Sequence, residues 1–440
     1  DLQTAAWRIA EARAQRRSAS SAGLPSVSGN AIGGRQRASE NGFTSALGGS
    51  DSGAGGSGAP APPPSPYSDL YQVGFDATWE LDLWGGVRRS VEAADAGILS
   101  AEQARADAAV SLTAEIARTY LDLRGAQRQR AIAQADIADQ RRLLALTNSR
   151  SSSGFAAQAD SVRQASELAN ALAALPPLEQ TIDRDQNALA RLLALPPGAL
   201  ASRIGDAPTA AAPLPPEVPV GLPGDLLRRR PDVLKAEADL HAATARIGVA
   251  RAALFPSVTL GLFGGLQSVH ADSLTDWASR FWIGGAQVSI PLFEGGKLKA
   301  QVELADAQAR EAALTWRKTV LGAYHDANDA LYAYVEEQAH ETALRQSVDH
   351  ARRSRDLTEN RWRSGFVSQI DVITAERQWH QAQLDALRSS VDTETDLVAL
   401  YKALGGDWQA ASALPAALPD PLPDPSSEAV PGTPASAANS

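Results

Sequence analysis

The chain has 440 residues, with 41 Lys and Arg against 51 Asp and Glu, a net charge of −10, and neither Cys nor Met. The missing Cys excludes disulfide scaffolds, zinc–thiolate sites and Cys nucleophiles, and the acidic balance argues against nucleic acid as a partner, since phosphate backbones are held by clustered Lys and Arg. A single core stops growing near roughly 250–300 residues, so two domains or an extended repeat is expected. No stretch approaches the roughly 18–20 continuous apolar residues of a membrane-spanning helix, which leaves a soluble protein or a β-barrel. The start at Asp1, without Met or a hydrophobic leader, reads as a processed or truncated chain.

In chain order, a helix runs to Pro25 and a weakly patterned strand follows over 26–35. Residues 40–69, with Gly-Gly-Ser and Ala-Pro-Pro-Pro-Ser-Pro runs, read as a flexible loop. From Tyr71, the apolar Tyr71, Val73, Phe75, Ala77, Trp79, Leu81 and Leu83 alternate with polar or small residues, the period of a strand with one greasy face. Residues 87–150 contain no Pro and no loop cluster, and as one helix would span roughly 95 Å at 1.5 Å per residue. Its apolar stripe includes Ile98, Leu112, Ile116, Leu123, Ile132 and Ile137, with Ala filling seams for close helix approach. Ser153-Gly154-Phe155 reverses the chain, and Pro176-Pro177 interrupts the return helix, so a kink or break is expected there. That break is either a bend used in asymmetric opening or, the reading preferred, a tolerated variation.

Residues 196–223 form a linker, after which the order repeats. Ala22-Gly23-Leu24-Pro25-Ser26-Val27 returns 231 residues later as Ala253-Leu254-Phe255-Pro256-Ser257-Val258, and Ser153-Gly154-Phe155 returns 211 residues later as Ser364-Gly365-Phe366. Strands are read where Val258, Leu260, Leu262 and Leu266 alternate with polar or small neighbours, and again at Ala286, Val288, Ile290 and Leu292; the helix over 297–363 matches 87–150. The expected domains are therefore a first repeat over 1–215, a second over 216–408, and a disordered Pro/Ala/Ser tail over 409–440. The segment from Gly221 to Leu227 has its first-copy equivalent before residue 1, so the first repeat is expected to lack its head. An ordinary sandwich strand alternates in the same way, but strand length and aromatic residues at the ends (Tyr71, Trp79, Trp84, Phe281, Trp282) favour a membrane barrel. Four such strands cannot close a barrel, and an open edge in lipid leaves backbone groups unpaired at several kcal/mol each, so the chain is expected to oligomerise.

Glu80-Leu81-Asp82-Leu83-Trp84-Gly85, the string from Val220 to Asp232, Ala252-Ala253-Leu254-Phe255-Pro256-Ser257, and Tyr401-Lys402-Ala403-Leu404-Gly405-Gly406-Asp407-Trp408 resemble the TolC-type outer-membrane factors, in their OprM/NodT-like branch. The resemblance covers residues 1 to about 408. It implies an α+β membrane protein: a homotrimer whose twelve strands form an outer-membrane β-barrel continuous with a long periplasmic α-helical barrel. It further implies the exit duct of a tripartite efflux pump in a Gram-negative bacterium, contacting outer-membrane lipid and docked through a periplasmic adaptor to an inner-membrane transporter of the RND type. Small toxic compounds or drugs are the implied cargo, no cofactor is implied, and the branch's lipidated N-terminal Cys would lie upstream of residue 1. Rival readings are a protein-secretion conduit of the same fold and a trimeric adhesin or autotransporter stalk.

The tip Arg361-Trp362-Arg363-Ser364-Gly365-Phe366 resembles the family's adaptor-contacting turn, against the plainer reading of a helix turn without a partner. The first tip, with Gly154 and Phe155, has Ser151 where the aromatic Trp362 stands and is expected to contribute less. Asp160 and Asp371 share one repeat position and in a trimer would place six carboxylates at the periplasmic entrance, or are simply solvated helix charges. By resemblance Ile370 is an apolar ring residue and Arg377 a basic gate residue, while Thr374 stands where relatives carry the Asp of the constriction; Asp371 or Glu376 are the candidate replacements as partner of Arg377. Arg228-Arg229-Arg230 is read as structural because Pro231 suits a helix start. Gly295-Gly296-Lys297 lacks the spacing of a phosphate loop, there is no His-Glu-x-x-His or Gly-x-Ser-x-Gly, and His325-Asp326 reads as a helix-surface pair; no enzyme activity is expected.

Overall fold

A computed structural model describes residues 2–37, 67–205 and 229–406. The expected tail over 409–440 and most of the expected loop and linker lie outside these residues. The elements are α1 (Leu2–Ser21), β1 (Ser26–Arg37), β2 (Tyr67–Glu80), α2 (Gly86–Ser152), α3 (Gln158–Ala173), α4 (Leu175–Leu192), α5 (Ala201–Ile204), α6 (Pro231–Ala252), β3 (Ser257–Ser268), a 3₁₀ turn at Trp277–Ser279, β4 (Arg280–Ser289), α7 (Lys297–Arg363) and α8 (Gln369–Ala403). They group into two compact units, one from the described parts of Ile9–Leu99 and Ala238–Leu314, the other from the remaining described residues. Each unit draws on both halves of the sequence, so the repeat is one of order along the chain and the units cut across it.

In the first unit the four strands form one antiparallel sheet in the order β1-β2-β3-β4. The register sets Val27 opposite Ala77, Ala77 opposite Leu262, and Val258 opposite Val288, which puts the period-two apolar residues of all four strands on one face. That face is uncovered: Val73, Phe75, Leu262, Trp282 and Val288 are all exposed. Two strand boundaries differ from the sequence reading. β2 begins at Tyr67, inside the expected loop, because Tyr67 pairs with Arg37 and Asp69 lies 3.5 Å from Arg35, pairings the Pro-rich composition gave no sign of. β4 begins at Arg280 and stops at Ser289, short of Ile290 and Leu292, since Pro291 has no N–H for a ladder. Trp84, expected as a membrane-interface aromatic, lies beyond β2: its ring stacks on Phe255 at 4.7 Å and its Nε1 donates to Pro256 O at 2.6 Å. Asp82 starts α2 by accepting the Val87 and Arg88 N–H groups at 3.0 Å.

The second unit is helical. Leu123 of α2 is fully buried with Ala126 against Ile182, Leu189 and Ala190 of α4 and Leu200. Ala327 of α7 and Ala403 of α8 make the corresponding seam in the second half, where small side chains allow close approach. Of the predicted α2 stripe, Leu123 and Ile137 are buried, while Ile98, Leu112, Ile116 and Ile132 are half-buried. Arg230 is structural, as expected: it donates to Asp232 at 2.7 Å, to Asp326 at 3.0 Å and to Ala403 O at 3.0 Å, and Pro231 opens α6. Arg128 and Glu394 form a buried pair at 3.3 Å. The break at the two prolines is present: α3 ends at Ala173, and α4 starts at Leu175 with Pro in its first turn, whereas α8 runs unbroken for 35 residues.

Candidate functional site

The two chain reversals of the helical unit are built alike. Phe155 N–H donates to Arg150 O at 2.8 Å and Gly154 N–H to Ser151 O at 3.0 Å; Phe366 N–H donates to Arg361 O and Gly365 N–H to Trp362 O, both at 2.9 Å. These paired bonds close each helix with a left-handed residue, Gly154 at φ 79° and Gly365 at φ 83°, a conformation costing a side-chain-bearing residue about 1–2 kcal/mol. The residue after such a glycine commonly packs back on its own helix. Here Phe155 and Phe366 stay 82% and 78% exposed, each an uncovered aromatic at an apex. Arg361 and Ser364 are also exposed. Trp362 is not an outward contact: it is 6% exposed and lies under the Arg150 guanidinium, 4.7 Å from its ring centroid, so it braces one tip against the other.

Beyond the tips the two return helices start differently. Ser368 caps α8 in a reciprocal box, Asp371 accepting the Ser368 N–H at 2.9 Å and its hydroxyl at 2.6 Å. These bonds hold the Asp371 carboxyl below its ordinary range, so its charge is already shared with the helix start. Asp160 occupies the same place in α3, but the N-cap there is Ala157, without a side-chain cap, and Asp160 pairs with Arg163 at 3.5 Å. Ile370 is half exposed, and Thr374 turns its hydroxyl back to Ile370 O at 2.8 Å.

Arg377 is paired, but with neither expected partner. Its Nε donates to Glu167 Oε2 at 2.9 Å and its Nη2 to the other oxygen of the same carboxylate, a two-pronged tie from α8 to α3. Glu167 and Arg377 stand on different helices and nearly one repeat apart, so spacing within either helix carried no sign of the pair. Glu376 points the other way and is buried, 6% exposed.

Between these groups runs a polar network that sequence reasoning missed. Gln369 donates to Thr147 at 2.6 Å, Gln164 to Gln140 at 2.6 Å, and Gln140 to Asp136 at 3.0 Å, with Thr147 and Gln164 wholly buried. His380 Nε2 lies 3.1 Å from Asp136 Oδ1, at ion-pair distance. Burial works to raise the Asp136 carboxyl, but His380 and Gln140 hold it below its ordinary range. The local pattern gave no sign of Gln164, whose neighbours on the same face of α3 are Asp160, Ser161, Glu167 and Leu168. A buried network of this kind fixes the rotation of α2, α3 and α8, because a slipped register would orphan its members. A cavity of about 690 Å³ lies here, lined by Asp136, Glu167, Asn170, Arg377, His380 and Asp385 among others.

The chain matches the family model for outer membrane efflux proteins over residues 1–195 and 222–406, one segment per half. It is 32% identical over 417 residues to the pyoverdine export outer membrane protein OpmQ of Pseudomonas putida, covering 94% of this chain and 84% of that one. It is 34% identical over 344 residues to the solvent efflux pump outer membrane protein SrpC of Pseudomonas putida, covering 77% and 71% of the two. The solved outer-membrane channel OprN superposes with a TM-score of 0.84 at 30% identity, over 93% of this chain and 87% of that one.

Proposed function

The chain belongs to the outer membrane efflux protein family, and from that premise we propose that three copies close one twelve-stranded barrel and one helical tunnel to form the exit duct of a tripartite pump. The protein is an outer-membrane efflux component of a Gram-negative bacterium, and its family consists of transport proteins. The observation that supports closure between copies is the sheet. Its strands of 12, 14, 12 and 10 residues meet or exceed the roughly 9–11 that a tilted strand needs to cross a bilayer. One face is apolar and exposed over most of its height, from Val27 to Gly33 and across its partner strands, with Arg35, Asp69 and Arg280 at one end, and among the described residues β1 and β4 each have a single partner strand. Two bare edges in lipid would cost several kcal/mol for every unpaired backbone group, and pairing β4 of one copy with β1 of the next removes that cost.

In this reading the helical unit lines the periplasmic tunnel and the tips take a periplasmic adaptor, with Phe366 as the main anchor, Arg361, Ser364 and Gly365 around it, and Phe155 with Gly154 as the lesser one. Trp362 positions that surface from beneath. The inner-membrane partner is of the RND type. Ile370, Thr374, Asp160, Asp371 and Arg377 surround the aperture, and the Glu167 tie holds Arg377 in place of a bond to Asp371 or Glu376. The relatives export pyoverdine or solvents; small toxic compounds are the proposed cargo here.

The test uses the absence of Cys. Ser364→Cys is introduced in the full-length protein, and intact cells are treated with a large membrane-impermeant maleimide before and after permeabilising the outer membrane. Labelling only after permeabilisation is expected. Labelling of intact cells puts the tips outside and overturns the duct.

A further inference from the structure

Glu376 lies on the buried face of α8, among Val372, Ile373 and Ala375, each no more than 6% exposed. Its Oε2 is shut off from solvent and has no hydrogen-bond partner. The charged groups that act on it come from every helix packed there: Asp139 from α2, Arg355 and Glu359 from α7, and His380 one turn along α8. Neither cation bonds to it. The Arg355 guanidinium sits 4.2 Å from the Trp379 ring centroid and pairs with Asp356 at 3.3 Å and Glu359 at 3.7 Å, and His380 lies against Asp136. A buried, unpartnered carboxylate with two further carboxylates in its field is costly when ionised and tolerable when neutral.

We propose that Glu376 is a proton-operated pin: neutral, it seats the first turns of α8 against α2 and α7, and ionised, it releases them. Burial first, and then Asp139 and Glu359, push its carboxyl from 4.5 to about 7, against the opposing pull of His380 and Arg355. The seated arrangement therefore binds this proton more tightly than the released one. Its stabilising contribution is complete below 4.5, is lost as pH rises towards about 7, and changes no further above that. The segment affected carries Arg377 and begins just beyond the second tip. The consequence for transport rests on the reading of this end as the aperture; the pin itself does not.

The experiment is native-state amide hydrogen exchange on the full-length protein in detergent, read for the peptide over residues 372–381 and corrected for intrinsic base catalysis. Each unit of pKa difference is worth a factor of ten in an opening equilibrium, so protection is expected to fall at least about tenfold between about pH 5 and pH 8. Glu376→Gln, of the same shape but unable to ionise, is expected to keep the high protection at both. Protection independent of pH in the unaltered protein, or the same dependence in Glu376→Gln, overturns the pin. Single-channel conductance over the same range separates the two readings: an exchange shift abolished by Glu376→Gln supports the pin, and an accompanying flat conductance removes the aperture from this end instead.

Discussion

The two return paths of the helical unit do the same job in different ways. After Gly365 the chain enters a helix fixed by the Ser368–Asp371 box and continues for 35 residues to Ala403. After Gly154 it enters an uncapped helix at Ala157, stops after 16 residues, and restarts at Leu175 behind two prolines. Both paths bury large side chains: Leu123, Ile182 and Leu189 on the broken one, and Val372, Ile373 and Leu400 on the continuous one, which adds the small pair Ala327 and Ala403. A helix interrupted at Ala174 loses backbone hydrogen bonds that α8 keeps. The duplicated sequence thus preserved the reversal, where geometry allows one solution, and let the helix interior vary, where several solutions bury the same surface.

The sharpest way to break the comparison is at the tips. Gly365→Pro, whose φ is incompatible with 83°, or Phe366→Asp, which puts a charge on the exposed apex, is expected to abolish efflux of the proposed cargo while the protein remains in the outer membrane. Gly154→Pro and Phe155→Asp are expected to do less; equal losses of resistance would make the two tips equivalent, and normal resistance in the first pair would remove the docking role. Next in size, Leu123→Ala empties a fully buried site that braces the broken path, and denaturant unfolding should show a loss of about 2–5 kcal/mol. Ala157→Ser copies the α8 cap into the first path, since Asp160 already stands three residues on. Exchange of the first α3 amides should slow by the equivalent of about 0.5–1 kcal/mol. Smallest is Pro176→Ala with Pro177→Ala: the new amides at 176 and 177 should become protected as α3 and α4 join, with overall stability moved by no more than about 1 kcal/mol. Unprotected amides there would mean that packing, and not the prolines, ends α3.

How far the sequence could be read depended on distance along the chain. The strand faces, both long helices, the glycine reversals, the proline break and the structural role of Arg230 followed from residues within a turn or a strand of one another. The start of β2 was hidden by the Pro and Ser residues before it, because what extends that strand is its partner β1. At the candidate site the tip glycines and phenylalanines were legible as a repeated string, while the string gave no sign that Trp362, grouped with the adaptor-contacting residues, is buried under Arg150.

The sequence by itself determined which segments are helix and strand, where they reverse, that the order occurs twice, and which family the chain belongs to, since period, breakers and caps are short-range properties of the backbone. Only the tertiary structure decided that Arg377 binds Glu167, that Gln164 and Gln369 join one buried network, and that Glu376 has no partner. Those outcomes turn on the rotation of one long helix about its axis against its neighbours. A rotation of one residue, about 100°, carries a side chain from the core to the surface without altering a single local hydrogen bond.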